Sequence, residues 1–223
     1  LVGAGRSDPD RVATPDRPPD DLIPSLLAAS DVLGTGWYAA DAARVKPGST
    51  VVVVGDGAVG LMGVLAAKQM GAERIIAMSR HKTRQNLALE YGATDIISER
   101  GDAGVARIKE LTKSIGADSV LECVGTQESM MQAIHCTRPG GMIGYVGVPH
   151  GVELDGRALF VSQTGMIGGP APVRRFLPHL MDLLLTSKIN PGKVLHLNHP
   201  PNDVDEGYRA MDERRAIKTM LRP

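Results

Sequence analysis

Three glycines carry the strongest chemical signal in this chain. Val51-Val52-Val53-Val54 runs straight into Gly55-Asp56-Gly57-Ala58-Val59-Gly60, a G-x-G-x-x-G spacing, and the residues from Ala58 to Met70 are nearly all good helix formers. Four β-branched residues in a row fit a strand covered on both faces, as in a parallel sheet. In that strand–turn–helix context each glycine has its own task. Gly55 allows the tight turn, Gly57 lets the backbone approach a pyrophosphate, and Gly60 lets helix and strand pack closely. The first-turn N–H groups, with Ala58 and Val59 among them, and the positive end of the helix dipole then face the phosphates. An ordinary glycine-rich turn is the competing reading, and the flanking strand and helix favour a dinucleotide over it.

The end of the second strand should show which dinucleotide is bound. That strand reads Arg74 to Met78 and ends in Ser79-Arg80-His81. An acidic residue holding a ribose 2′-hydroxyl would stand here, about 20 residues past the fingerprint, and no carboxylate does. A hydroxyl and a guanidinium take its place, with Lys82 and Arg84 following. A carboxylate would repel a 2′-phosphate, whereas Arg can grip one bidentately. Ser79, Arg80 and Arg84 are therefore expected to select NADP(H) over NAD(H), with His81 as an added donor. The competing reading is a solvated basic start to the next helix.

Other reactive side chains are sparse. The six histidines form no H-x-x-x-H spacing, and the two cysteines, Cys123 and Cys136, match no zinc knuckle. Both fit small buried hydrophobes in a reducing, cytoplasmic compartment. Lys plus Arg balances Asp plus Glu at 25 each, which gives no electrostatic reason for a nucleic-acid or membrane partner. No apolar run reaches the roughly 20 residues of a membrane span. Hydrophobic residues make up 43% of the chain, yet there are only four Tyr, two Phe and one Trp, so the core must be aliphatic.

The elements that must position the fingerprint alternate along the chain. After the first strand and helix come strands at 74–78, 94–98, 119–123, 142–146 and 164–167, with helices at 83–91, 103–113 and 128–137 between them. Pro139-Gly140-Gly141 reads as a turn before the fifth strand. Strands separated by helices require parallel pairing with right-handed crossovers. The expectation is an α/β fold, a doubly wound six-stranded parallel sheet of Rossmann type with its crevice at the carboxyl ends of the strands. Upstream, a short helix from Leu22 and a turn at Gly34-Thr35-Gly36 lead into a helix ending at Ala43. Residues 1–21, rich in Pro and charge, are expected to be loosely held. Downstream, a helix over 173–186, a helix over 204–211 and a strand at 217–221 suggest a second domain, since a lone terminal strand needs a partner in another sheet.

Five ordered motifs carry a resemblance. Ser30-Asp31-Val32-Leu33-Gly34-Thr35-Gly36-Trp37, the Gly55–Gly60 fingerprint, Glu122-Cys123-Val124-Gly125, Val146-Gly147-Val148-Pro149 and Ala216-Ile217-Lys218-Thr219 together resemble the zinc-dependent medium-chain alcohol dehydrogenases. The resemblance spans Leu22 to Pro223. It implies hydride transfer between NADP(H) and a small alcohol, aldehyde or ketone, with a zinc ion in the intact enzyme. It places Thr35 beside the nicotinamide as the catalytic candidate, Val124, Val146, Val148 and Gly168 around the nicotinamide, Lys218 at the pyrophosphate, and Asp31 as a zinc ligand. A helix-capping aspartate is the competing reading of Asp31. The family's other zinc ligands come from an amino-terminal domain that nothing here matches, so one carboxylate alone is not expected to keep zinc. The implied division is 1–32, a partly disordered remnant of the catalytic domain; 33–169, the Rossmann domain; and 170–223, a segment returning to the catalytic domain. A homodimer or higher homo-oligomer is implied through the sixth strand, whose apolar stretch Val161–Gly168 lacks an edge-blunting Lys or Pro. Two other readings stay open, a zinc-free quinone or enoyl reductase of the same superfamily and a non-catalytic dinucleotide-binding fragment.

Overall fold

The computed structural model describes residues 18–222. The expected looseness of the opening segment concerns, for 1–17, residues outside this range. The chain runs through α1 (Ile23–Ala29), α2 (Val32–Ala42), β1 (Thr50–Val54), α3 (Ala58–Gln69), β2 (Arg74–Met78), α4 (Lys82–Glu90), β3 (Asp95–Ile97), α5 (Gly101–Leu111), β4 (Ala117–Glu122), α6 (Gln127–Cys136) and β5 (Thr137–Tyr145). It then forms α7 (Gly156–Ser162), β6 (Gly165–Gly168), α8 (Val173–Leu185), β7 (Leu197–His199), α9 (Val204–Asp212) and β8 (Thr219–Leu221).

Six strands form one parallel sheet in the order β3-β2-β1-β4-β5-β6. The chain builds outward from β1 to β3, then returns to lay β4 against the free side of β1. This reversal leaves a crevice at the carboxyl ends of β1 and β4, the switch point where α/β sheets bind ligands.

The valine run is continuous because both its faces are covered. Val51 and Val53 face a core shared with α1, α2, α3 and α8, while Val52 and Val54 face a second core under α5 and α6. The period-two alternation repeats in β2, with Ile75 and Ala77 on the first side and Ile76 and Met78 on the second.

Two local expectations differ from what is found. Gly34-Thr35-Gly36 lies inside α2 and is not a lead-in turn. Each helical glycine costs about 1 kcal/mol against alanine, and here close packing offsets it. A Cβ on Gly36 would stand 2.6 Å from the Gly63 nitrogen, so α2 lies directly on α3. Pro139-Gly140-Gly141 belongs to β5, which runs on as one strand. The glycines are absorbed by a register shift opposite Ala117 and Ser119, with Gly140 at φ +71°.

Helix α7 is not among the helices the pattern predicts. It starts at Asp155, whose carboxylate accepts from Arg157 N at 2.9 Å and Ala158 N at 3.0 Å. The terminal strand β8 does find a partner in a separate sheet, pairing in parallel with β7. Among the described residues no helix is long and apolar enough to cross a membrane.

Candidate functional site

The fingerprint turn has the geometry its glycines suggest. Gly55 sits at φ +113°, a left-handed conformation that side chains rarely adopt. A Cβ on Gly60 would overlap the Gly55 carbonyl oxygen, whereas one on Gly57 would meet nothing within 4 Å and would project into open space. Gly57 is extended at the N-cap of α3, and no side chain caps that helix. Its first-turn N–H groups, on buried Ala58, half-buried Val59 and buried Gly60, are thus free for an outside acceptor, and anions bind at such helix ends. The cleft above measures about 510 Å³ and spans the strand ends from Gly55 and Gly57 through Arg80 and Arg100 to Val124. That is within the size range of cofactor sites. An open position at Gly57 above an uncapped helix fits a pyrophosphate.

The fingerprint residue Asp56 lines the crevice beside the end of β2. The Asp56 carboxylate reaches across to the end of β2, where Ser79 Oγ donates to Oδ2 at 2.7 Å and Arg84 Nη1 to Oδ1 at 3.1 Å. A carboxylate therefore does stand near the expected place, contributed by the turn after β1 and not by β2. Burial works to raise the Asp56 pKa, but the Ser79 hydroxyl and the Arg84 guanidinium outweigh it and hold the carboxyl below its ordinary value. Ser79 and Arg84 are both buried, and Arg84 Nη2 also donates to the Ala216 carbonyl at 3.5 Å. Arg84 is thus committed to neutralising Asp56 and to tying the fingerprint to the carboxyl-terminal segment. Arg80 remains exposed on the cleft, its Nε donating to the Ser98 carbonyl at 3.3 Å. A signal for Asp56 existed: a charged residue between the fingerprint glycines needs a counter-charge nearby.

The far end of the crevice is built by two interlocked turns. Glu122 is fully buried, and its Oε1 accepts from Val124 N at 2.9 Å and Gly125 N at 2.8 Å. Its own carbonyl accepts from Val146 N at 2.9 Å and Gly147 N at 3.3 Å. A Cβ on Gly125, at φ +89°, would overlap the Val148 carbonyl oxygen. This close contact leaves Val124 and Val148 turned outward and exposed, with Val146 half-buried beside them. Gly168 ends β6, and the next N–H, of Gly169, donates to the Tyr145 carbonyl at 3.2 Å. A polar residue ending the apolar run of β4 was the available signal for Glu122.

Asp31, Thr35 and Lys218 meet where the start of α2 approaches β8, and none of the three lines the cleft above the fingerprint. Asp31 occupies the N-cap position of α2, but its side chain makes no capping bond. The carboxylate faces Lys218 Nζ at 3.6 Å, and Thr35 Oγ1 donates to the Asp31 carbonyl at 3.0 Å. A pair this exposed contributes at most ~1 kcal/mol, so it locks neither side chain. Among the described residues no group of three or more His, Cys, Asp or Glu side chains could hold a metal ion. These residues by themselves do not fit a zinc site. Cys136 is buried, with its thiol pushed up to about 12 by burial, and the Cys123 thiol is pushed up by the same cause. Neither is a reactive thiolate.

A strongly paired cluster at the opposite end of the sheet is structural. Arg74 forks onto Asp95, Nε to Oδ2 at 2.9 Å and Nη2 to Oδ1 at 2.8 Å, and so joins the starts of β2 and β3. It lies away from the carboxyl-end crevice.

The profile of the zinc-binding dehydrogenases matches residues 58–184, more than half of the chain. The chain belongs to the zinc-binding dehydrogenase family. Among relatives, an NADP-dependent isopropanol dehydrogenase of Clostridium beijerinckii is 32% identical over 88% of this chain and 58% of its own length. A probable zinc-binding alcohol dehydrogenase of Mycobacterium tuberculosis is 34% identical over 88% of this chain and 51% of its own length. The alcohol dehydrogenase TADH from Thermus sp. ATN1 superposes with a TM-score of 0.83 at 29% identity, covering 93% of this chain and 59% of that one. The chain thus spans little more than half the length of these family members, and the matched part is their coenzyme-binding region.

Proposed function

We propose that this chain is the coenzyme-binding part of an NADP(H)-dependent alcohol dehydrogenase, or aldehyde and ketone reductase, of the zinc-dependent medium-chain type. The observation that carries the reading is the exposed guanidinium of Arg80, in no ion pair among the described residues, on a crevice where the Asp56 carboxylate is already neutralised by Arg84. When bound, the coenzyme supplies or accepts a hydride at its nicotinamide ring. Gly55, Gly57 and Gly60 seat the pyrophosphate, and the Val124, Val146 and Val148 turns and Gly168 border the nicotinamide. Thr35 and Lys218 approach from the side of α2. NADP dependence in the Clostridium relative supports the coenzyme assignment. We also propose the division into 1–32, 33–169 and 170–223, and a cytoplasmic site of action.

Arg80→Ala is expected to weaken NADPH by about 1.5–3 kcal/mol, the scale of a charge-assisted hydrogen bond, and to leave NADH almost unchanged. Calorimetric titration of both coenzymes checks this, and an equal loss for NADPH and NADH would count against it.

The same reading includes a homodimer. Strand β6 has a free outer edge with Ile167 exposed on it; Val161, expected in this strand's apolar stretch, lies instead in α7, exposed beside Phe160. An open apolar edge pairs readily with a twofold mate. Light scattering at micromolar concentration should give a dimer mass, and a monomer mass would contradict the dimer.

A further inference from the structure

Among the described residues, four buried side-chain nitrogen or oxygen atoms lack a hydrogen-bond partner, and two of them, Arg100 Nη1 and Gln132 Nε2, belong to residues lining the coenzyme cleft. Gln132 is only 4% exposed, held under Gly104, where a Cβ would stand in its way. A buried donor without an acceptor forfeits its hydration for nothing. Two such donors on one cleft point to a ligand that supplies the acceptors.

The charges point the same way. The cleft is lined by Arg80, Arg84, Arg100 and Arg214 against Asp56 and Glu128. Arg84 and Asp56 cancel in their own pair. The two Asp56 oxygens accept from Ser79 and Arg84, and Asp56 reaches Arg100 through charge alone. Arg100 stands at the start of α5, two residues past Ser98, whose carbonyl tethers Arg80. Burial lowers the Arg100 pKa; Asp56 opposes that, and the neighbouring Arg80 charge adds to it. The fold thus holds two guanidiniums near each other, and the carboxylate that offsets their repulsion, Asp56, is already paired with Arg84. A phosphate monoester, with nearly two negative charges at neutral pH, removes that cost.

We propose that Arg100 is a second coenzyme-specificity residue, clamping the 2′-phosphate of NADP(H) together with Arg80, while the Gln132 amide meets the edge of the adenine ring. This rests on the NADP(H) reading given above. A planar guanidinium presents paired donors to phosphate oxygens, and two of them on one phosphate exceed what Arg80 supplies alone. A glutamine amide complements adenine's adjoining amino donor and ring acceptor, whichever way the amide is turned.

The test titrates the 223-residue chain and its Arg100→Met and Arg100→Lys variants with NADPH, NADH and 2′,5′-ADP, after thermal melting has shown that each variant is folded. Arg100→Met should weaken NADPH and 2′,5′-ADP by about 10- to 100-fold and leave NADH within about twofold. Arg100→Lys, which keeps the charge but not the fork, should fall between. A merely structural role would weaken all three ligands alike and would overturn the proposal. Parental affinity for 2′,5′-ADP in Arg100→Met, in a chain that itself prefers NADPH, would overturn the role of Arg100 and leave the NADP(H) reading standing. Equal affinity of the parent for NADPH and NADH would overturn both.

Discussion

Replacing Arg84 with alanine should lower folding stability by about 3–5 kcal/mol at neutral pH, the cost of leaving a buried charge without its partner. The Arg84 and Asp56 side chains are only 5% and 14% exposed, so water can do little to replace the lost guanidinium. The effect has a defined pH dependence. Ser79 and Arg84 hold the Asp56 carboxyl below its ordinary 3.8 in the folded protein, against the opposing pull of burial. A group with a depressed folded pKa contributes stability above its unfolded value and loses it as pH falls through the folded value. The gap between parent and Arg84→Ala should therefore be full near pH 7 and shrink below about pH 4. Urea unfolding at both pH values measures it, and a gap that widened in acid would show that Asp56 is not the reason. An Asp56→Ala, Arg84→Ala double variant should recover part of the loss, because it removes both charges.

The second large effect is expected at Gly60. A Cβ there overlaps the Gly55 carbonyl oxygen, and Gly55 is pinned at φ +113°. Since neither side can yield cheaply, Gly60→Ala should cost about 1–3 kcal/mol or more and displace the turn proposed to receive the pyrophosphate. Gly57→Ala gives the contrast. Its Cβ meets nothing, and its φ of −72° suits any residue. That variant should keep the parental melting temperature yet lose coenzyme affinity, because the new methyl occupies the ligand's space. Thermal melts with NADPH titrations separate the two, and a Gly57→Ala chain that bound NADPH like the parent would remove the pyrophosphate from this turn.

The contrast between these glycines and the Asp56–Arg84 pair shows what the sequence could reveal. The valine run, the glycine spacing and the following helix are local, since each residue's task follows from its neighbours, and the parallel pairing follows from the alternation of strands and helices. Asp56 and Arg84 lie far apart in sequence, and only the pairing of β1 with β2 brings them together. Periodicity carries no record of that meeting. Glu122 was visible as a motif residue, but its work of tying two turns together depends on where β5 lies. Arg100 followed a short strand and read as loop. Pro139-Gly140-Gly141 looked like a turn because turn chemistry and a strand bulge use the same residues. The absorption of Gly34 and Gly36 into a helix likewise depended on the closeness of α3, a tertiary fact.

The central claim is a dinucleotide crevice at the carboxyl end of β1 that takes NADP(H). Isothermal titration of the unsubstituted chain with NADPH and NADH, each at two salt concentrations, tests it most directly. NADPH should bind at one site per chain at least about tenfold more tightly than NADH, the equivalent of one charge-assisted contact. Its advantage should narrow as salt screens the exposed Arg80. Equal binding of the two coenzymes, or no binding of either, would contradict the claim.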